Sequence, residues 1–197
     1  MRSAKNNKEI KEFFEKAALN WQNKDDEALI KELLVASKIK KGDVVLDVGC
    51  GKGIITPFIY DITGKTVKAI DISENMISGA KEKNSDNAKF DFQCHDFYNF
   101  FDDNKYDFVI FYNAYPHFLD RKALASRAYG LLKENGRLVI AHGMARSALL
   151  RHHQGLNPKI SRELASPDEE KLVFLDHFML EVAIDDDRCY LMVLKKQ

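Results

Sequence analysis

Apolar residues Ile10, Phe13, Phe14, Ala17 and Ala18 recur at three- and four-residue spacing, the period of a helix with one buried face. Residues 9–37 read as helical, interrupted by a polar break over 20–26 and resuming as a second helix over 27–36. After Gly42 the pattern changes. Short apolar runs appear at 44–48, 67–71, 90–94, 108–112 and 138–141, separated by amphipathic stretches at 54–62, 74–83 and 121–132. The punctuation agrees: Gly64 follows the first of these helices as a natural stop, Ser73 and Asp120 stand at N-cap positions, and Glu134-Asn135-Gly136 turns into the fifth strand. A continuous run such as 108–112 suits a strand buried on both faces. Alternating strands and helices predict a mostly parallel sheet with helices on both sides. Residues 179–184 and 189–194 flank Asp185-Asp186-Asp187-Arg188 and predict an antiparallel hairpin at the C-terminus. Ser166-Pro167-Asp168-Glu169 starts a further helix, with Pro at its first position and Glu placed for a capping box.

The length of 197 residues suits a single well-buried domain over 1–197. Lys plus Arg and Asp plus Glu are 30 each, so the net charge is zero and the basic excess of a nucleic-acid binder is missing. The expectation is therefore no nucleic-acid partner. No apolar run approaches the ~18 residues of a membrane span, and the first residues have no apolar stretch of a secretory signal, so no membrane partner is expected. Three cysteines without a CxxC pair fit neither a disulfide set nor a zinc knuckle. Reduced thiols and a cytoplasmic location follow as expectations; oligomeric state is left open.

The most informative chemistry lies in Asp47-Val48-Gly49-Cys50-Gly51-Lys52-Gly53, a glycine turn directly after the first strand. The dinucleotide pattern G-x-G-x-x-G receives a pyrophosphate at a helix N-terminus. Here Ile54 occupies the slot of its last glycine, and Asp47 would repel a phosphate but suit a cationic amino-acid ligand. Two more acids stand at strand ends, Asp71 and Asp96. Carboxylates accept hydrogen bonds from ribose hydroxyls or an exocyclic amine.

From Lys41 to Lys196 the chain resembles the class I S-adenosylmethionine-dependent methyltransferases of the small-molecule type. The resemblance rests on Val45-Leu46-Asp47-Val48-Gly49-Cys50-Gly51-Lys52-Gly53, on Asp71 twenty positions after Gly51, and on Asp96. It implies a Rossmann-like sheet of seven strands with helices on both faces and a C-terminal antiparallel hairpin. It implies S-adenosyl-L-methionine as cofactor, its methionine part cradled by Asp47, Gly49, Cys50 and Gly51. Asp71 would take the ribose hydroxyls, Ile72 and Met76 would flank the adenine, Asp96 with Phe97 would read its amine, and Asn113 would lie beneath the cofactor.

The acceptor side is more individual. Tyr115 and His117 follow the fourth strand and are expected to line the acceptor pocket. His117 either takes the acceptor's proton or is a structural histidine bonded to its loop backbone. Residues 143–165 form an insert near the active site. His142, Arg146, His152 and His153 are candidate substrate contacts there, suited to an anionic acceptor. Adjacent His152 and His153 would lie about 100° apart on a helix, so no metal site is expected. Residues 1–40 read as an N-terminal helical lid, in which Phe13, Phe14 and Trp21 either close the site or pack a core. The expected reaction is in-line methyl transfer to a small molecule, releasing S-adenosylhomocysteine. A regulatory cofactor-binding protein without catalysis is the alternative, and a closed space between Tyr115, His117 and His142 would favour it. A nicotinamide oxidoreductase is a further one, which Ile54 opposes. The methylated atom is left open among N, O, S and C.

Overall fold

A computed structural model of the chain describes residues 3–22, 26–86, 88–152, 155 and 157–197. The helices are α1 (Ser3–Ala18), α2 (Glu27–Ala36), α3 (Thr56–Thr63), α4 (Glu74–Lys83), α5 (Arg121–Leu131), α6 (Arg146–His152) and α7 (Pro167–Glu170). The strands are β1 (Val45–Val48), β2 (Val67–Asp71), β3 (Phe90–Cys94), β4 (Tyr106–Tyr112), β5 (Leu132–His142), β6 (Phe178–Asp185) and β7 (Tyr190–Lys196). They form one seven-stranded sheet in the order β3-β2-β1-β4-β5-β7-β6. β1 to β5 are parallel, and β7 runs antiparallel to both β5 and β6. The expected Rossmann-like α/β sheet with its C-terminal hairpin is the observed one. The winding direction reverses between β1 and β4, and a ligand crevice opens at such a switch point, beyond the carboxyl ends of the strands.

Strand alternation sorts the side chains into two layers. Leu46, Val48, Val109, Phe111, Leu138 and Ile140 face α5 residues Leu124, Ala125 and Ala128. Val45, Phe108, Ile110 and Val139 face the opposite side, against Leu29, Ile30 and Leu33 of α2 and Ile59 of α3. Each fully buried aliphatic side chain contributes about 1.5–3 kcal/mol, so the paired layers dominate stability. α2 is therefore a core helix, and of the described residues in 1–40 those over the crevice belong to α1 and to Trp21 beyond its end. Among the described residues, no helix is long and apolar enough to cross a membrane.

Three local differences from the sequence reading have clear causes. α3 begins at Thr56 rather than Ile54, because Gly53 N–H donates to Cys50 O and closes an extra turn first. β5 begins at Leu132 rather than Leu138: Glu134-Asn135-Gly136 is a bulge inside the strand, with Asn135 at φ +62° and the register against β4 shifted beside it. The helix at Ser166 has its capping box but continues for only four residues.

α1 is held mainly by one side chain. Glu15 accepts from Ser73 Oγ at 3.0 Å and from the backbone N–H groups of Glu74 at 2.8 Å and Asn75 at 3.0 Å. These are orphan donors at the start of α4, where a carboxylate also meets the positive end of the helix dipole. Lys11 adds an ion pair to Glu74 at 2.8 Å. Glu15→Ala is expected to free α1 while the sheet stays folded. Limited trypsin digestion should then cut at Lys11 or Lys16 several-fold faster, with the main unfolding transition displaced by about 1 kcal/mol or less; unchanged digestion would show that α1 is seated by its apolar face alone.

Candidate active site

The glycine turn leaves β1 and folds back onto the end of β2. Gly49 and Cys50 N–H both donate to Ile70 O, at 2.8 and 3.1 Å, and Gly51 N–H donates to Asp71 Oδ2 at 2.9 Å. The loop's donors are thus spent on the neighbouring strand and do not form a phosphate cradle, which is the physical content of the misplaced third glycine. Gly49 sits at φ +68°, and a Cβ there would lie 2.7 Å from the Ala114 Cβ. The loop after β4 approaches so closely that only glycine fits.

Asp71 is 9% exposed and its carboxylate also accepts from Ser73 N–H at 2.9 Å. Burial raises its pKa to about 6; the Ser73 and Gly51 N–H groups pull it back, and Glu15 pushes it up. Asp47 shares the sheet face of Val45, not that of Val48, and so points away from the crevice toward α3. There it accepts from Thr56 Oγ1 at 2.7 Å, and burial raises it to about 7, against the pull of that hydrogen bond. It braces the turn from behind. The Cys50 thiol is buried and pushed well above its ordinary pKa by that burial.

A cavity opens over this turn. Its floor includes Gly49, Cys50, Gly51 and Ile70, and one wall carries Asp71, Ile72 and Met76. Asp96 and Phe97 follow β3, and Asn113 and Ala114 follow β4. Asn113 takes φ +52°, and its Oδ1 accepts from Gly143 N–H at 3.0 Å, which turns the chain sharply at the sheet edge. Apart from Asp47, every candidate cofactor residue borders this space. Asn7, Ile10, Phe14 and Trp21 cover it from the N-terminal side. Asn7 Nδ2 donates to Asp96 Oδ2 at 2.5 Å, while Asp96 Oδ1 accepts from Tyr98 N–H at 3.0 Å. Sequence reasoning missed Asn7, Tyr98, Tyr112 and Phe118. The aromatic run of the β3 and β4 loops was visible, but nothing marks Asn7 in a polar stretch of helix.

The acceptor-side residues divide. His117 borders the cavity, its ring T-shaped against Phe14 at 4.8 Å between centroids. Tyr115 does not: its ring is fully buried beneath the loop, and its hydroxyl donates to Glu170 Oε1 at 2.5 Å. His142 shares Ile140's face of β5, fully buried and T-shaped against Tyr190 at 6.1 Å. Arg146 is paired with Asp185 at 2.8 Å, on the hairpin side. These three corrections follow from strand parity and from ion pairing that the sequence does not display. His153 and the side chain of His152 lie outside the described residues. Among the described residues no cluster of His, Cys, Asp or Glu could hold a metal ion.

The methyltransferase-domain family model matches residues 46–140. Over this stretch, just under half of its length, the chain is a methyltransferase domain. Its relatives include malonyl-[acyl-carrier protein] O-methyltransferase 1 of Ilyobacter polytropus, 34% identical over 104 residues, which are 52% of this chain and 38% of that protein. Phosphoethanolamine N-methyltransferase 2 of Caenorhabditis elegans is 32% identical over 51% of this chain and 24% of its own length. The chain thus spans less than half of the curated relatives it matches. Magnesium protoporphyrin IX methyltransferase of Synechocystis, solved with S-adenosylhomocysteine, shares the fold at a TM-score of 0.71 and 17% identity, over 96% of this chain and 99% of that one.

For a methyltransferase, the residues present fit the family's cofactor. Asp71 keeps lone pairs toward the cavity after accepting two backbone donors, Ile72 and Met76 give an apolar wall for a purine, and the Gly49 turn leaves no Cβ in the cradle. Gly49→Ala is expected to abolish S-adenosylhomocysteine binding by calorimetry and to cost about 2 kcal/mol in urea unfolding; wild-type values in both would remove the close Ala114 contact from the explanation. Hydroxyl donors stabilise the ionised form of Asp71, so below about pH 6 binding must first displace a proton. Affinity should hold above that pH and fall by up to ~10-fold per unit below it. Asp71→Asn should bind weakly with a flat profile; a pH-independent wild type would contradict this.

Proposed function

We propose that this protein transfers the methyl group of S-adenosylmethionine to a small neutral or cationic acceptor in the cytoplasm. One observation carries the choice of acceptor. Among the described residues that line the cavity, Lys52 is the only lysine or arginine, while Phe14, Trp21, Tyr98, Tyr112 and Phe118 supply aromatic surface. Arg146, which suggested an anionic acceptor, is engaged elsewhere, with Asp185. Aromatic faces attract cations and flat apolar groups. Tyr115 and His142 are buried, so the space expected between them and His117 is closed, as the cofactor-binding alternative would have it; what favours an enzyme is that the cavity itself reaches His117 beside Tyr112 and Phe118.

When bound, the cofactor supplies an electrophilic methyl on a sulfonium, open to in-line displacement by an acceptor lone pair. This chain's residues supply binding, orientation and water exclusion. In this reading Asp71 and Asp96 hold the nucleoside, Asn113 and the Gly49 turn hold the amino-acid end, and α1 closes over both as a lid. His117 Nδ1 lies 2.9 Å from Ile160 O. A carbonyl oxygen only accepts, so Nδ1 carries the proton and the neutral ring keeps its lone pair on Nε2. We assign that nitrogen the acceptor's proton.

Isothermal titration with S-adenosylmethionine and S-adenosylhomocysteine tests the cofactor, and absence of heat with both sinks the proposal. Methyl transfer is then read as S-adenosylhomocysteine release with a panel of small phenols, amines and thiols beside matched carboxylates and phosphates. Turnover is expected with the uncharged or cationic members only. On the accepted substrate His117→Gln should lower turnover about 100-fold with cofactor affinity kept; equal turnover would limit His117 to a wall residue.

A further inference from the structure

We propose that residues 157–170 are the positioning device of His117, with Glu170 as its anchor: the buried Arg121–Glu170 pair fastens this segment to the loop after β4, so that the Ile160 carbonyl dictates which nitrogen of His117 bears the proton. This deepens the reading of His117 as the group that faces the acceptor, and rests on it.

The segment touches the His117 loop along its whole length. Arg162 N–H donates to Pro116 O at 2.8 Å, His117 Nδ1 to Ile160 O at 2.9 Å, and Arg162 Nη1 to Leu119 O at 2.9 Å. The residue before His117, its own ring and a residue just after it are therefore all held by one stretch. Residues 161–165 have no helix or strand of their own to keep them there. Beside the buried Leu164 and the Arg162 bonds, they are fastened by one carboxylate. Glu170 accepts from Arg121 Nη1 at 2.6 and 2.8 Å, from Tyr115 Oη at 2.5 Å and, more weakly, from Ala165 N–H at 3.4 Å. Arg121 Nη2 donates in turn to Glu163 O at 2.6 Å. Tyr115 precedes His117 by two positions and Arg121 follows it by four, so Glu170 ties both ends of the His117 loop to the segment that carries Ile160. Tyr115, Arg121 and Glu170 are 0%, 7% and 1% exposed.

A buried ion pair is a poor device for stability alone, because well-packed apolar residues of similar size stabilise as well or better. Its worth is directional. It fixes two strands of irregular chain against each other at hydrogen-bond precision, and a histidine tautomer is set by the partner of its other nitrogen. The contact to the ring itself is made by a backbone carbonyl, which accepts and never donates, so it can impose only one tautomer.

The test is the nitrogen-15 signature of His117 in full-length protein labelled at histidine, free and with S-adenosylhomocysteine. The wild type is expected to show one neutral tautomer, protonated at Nδ1. The double variant Arg121→Leu/Glu170→Leu replaces the pair by apolar side chains and is expected to stay folded and to bind S-adenosylhomocysteine within about 2-fold of wild type. Its His117 should divide between the two tautomers. If that variant does not fold, Leu164→Ala loosens the same segment through its buried apolar anchor without disturbing a charge, and the same division is expected. An Nε2-protonated His117 in the wild type, or an undivided Nδ1 tautomer in the folded variant, overturns the proposal. The tautomer is read with no acceptor present. Its failure is thus distinct from the failure of the base reading, which shows only as wild-type turnover by His117→Gln.

Discussion

The hydrogen bond from Gly51 N–H to the Asp71 carboxylate is the contact on which the site's architecture depends. It joins the turn after β1 to the end of β2, beside the two N–H groups that Gly49 and Cys50 give to Ile70 O. Asp71 also holds Ser73 N–H, and Ser73 caps α4, whose first turn in turn receives Glu15 of α1. One buried acid thus links the glycine turn, the first helix after it in space, and the helix that covers the cavity. A carboxylate so placed is costly to ionise, which is why its pKa is raised, and the Ser73 and Gly51 N–H groups offset part of that cost.

A second buried acid, Glu170, organises the other half of the cavity by different means. Asp71 works through backbone N–H groups of regular elements, whose positions the sheet already dictates. Glu170 works through Tyr115 and Arg121 and restrains chain that has no ladder of its own. The half of the cavity around Asp71 therefore inherits its geometry from the fold, whereas the half around His117 is built from contacts made by residues 160–170. The first kind of site can stay constant while the second is altered by changing a loop.

This division also explains what could be read from the residues. The strands, most of the helix caps and the switch point follow from hydrophobic period and from local chemistry such as Ser73, Asp120 and Gly64, because those are determined within a few residues. The residues expected on the cofactor side, Asp47 apart, border one cavity because they stand at or follow the ends of β1, β2, β3 and β4 or lie in the first turn of α4. Asp47 was placed at the ligand although it turns to Thr56, an error that strand alternation from Val45 could have caught. Tyr115, His142 and Arg146 were assigned to the acceptor because proximity in sequence stood in for direction. Their contacts with Glu170, Tyr190 and Asp185 depend on partners 55, 48 and 39 positions away in the chain. No pattern in the residues announces such pairings.

The lid illustrates the same limit and what it means chemically. α1 is joined to the β2–α4 turn by Glu15 and Lys11, to Asp96 by Asn7, and to the insert by the Glu9–Lys159 pair at 3.3 Å. Its polar contacts bridge the two halves of the cavity, which otherwise share only the loop after β4. A helix bonded to both halves can close only when both are in place. Water exclusion, the condition under which a sulfonium methyl reacts faster with a positioned lone pair than with solvent, is then coupled to the arrangement of His117 as well as to that of Asp71. The exposed ion pairs among these contacts are individually weak. That weakness leaves the permanent order around the cavity to the two buried acids beneath.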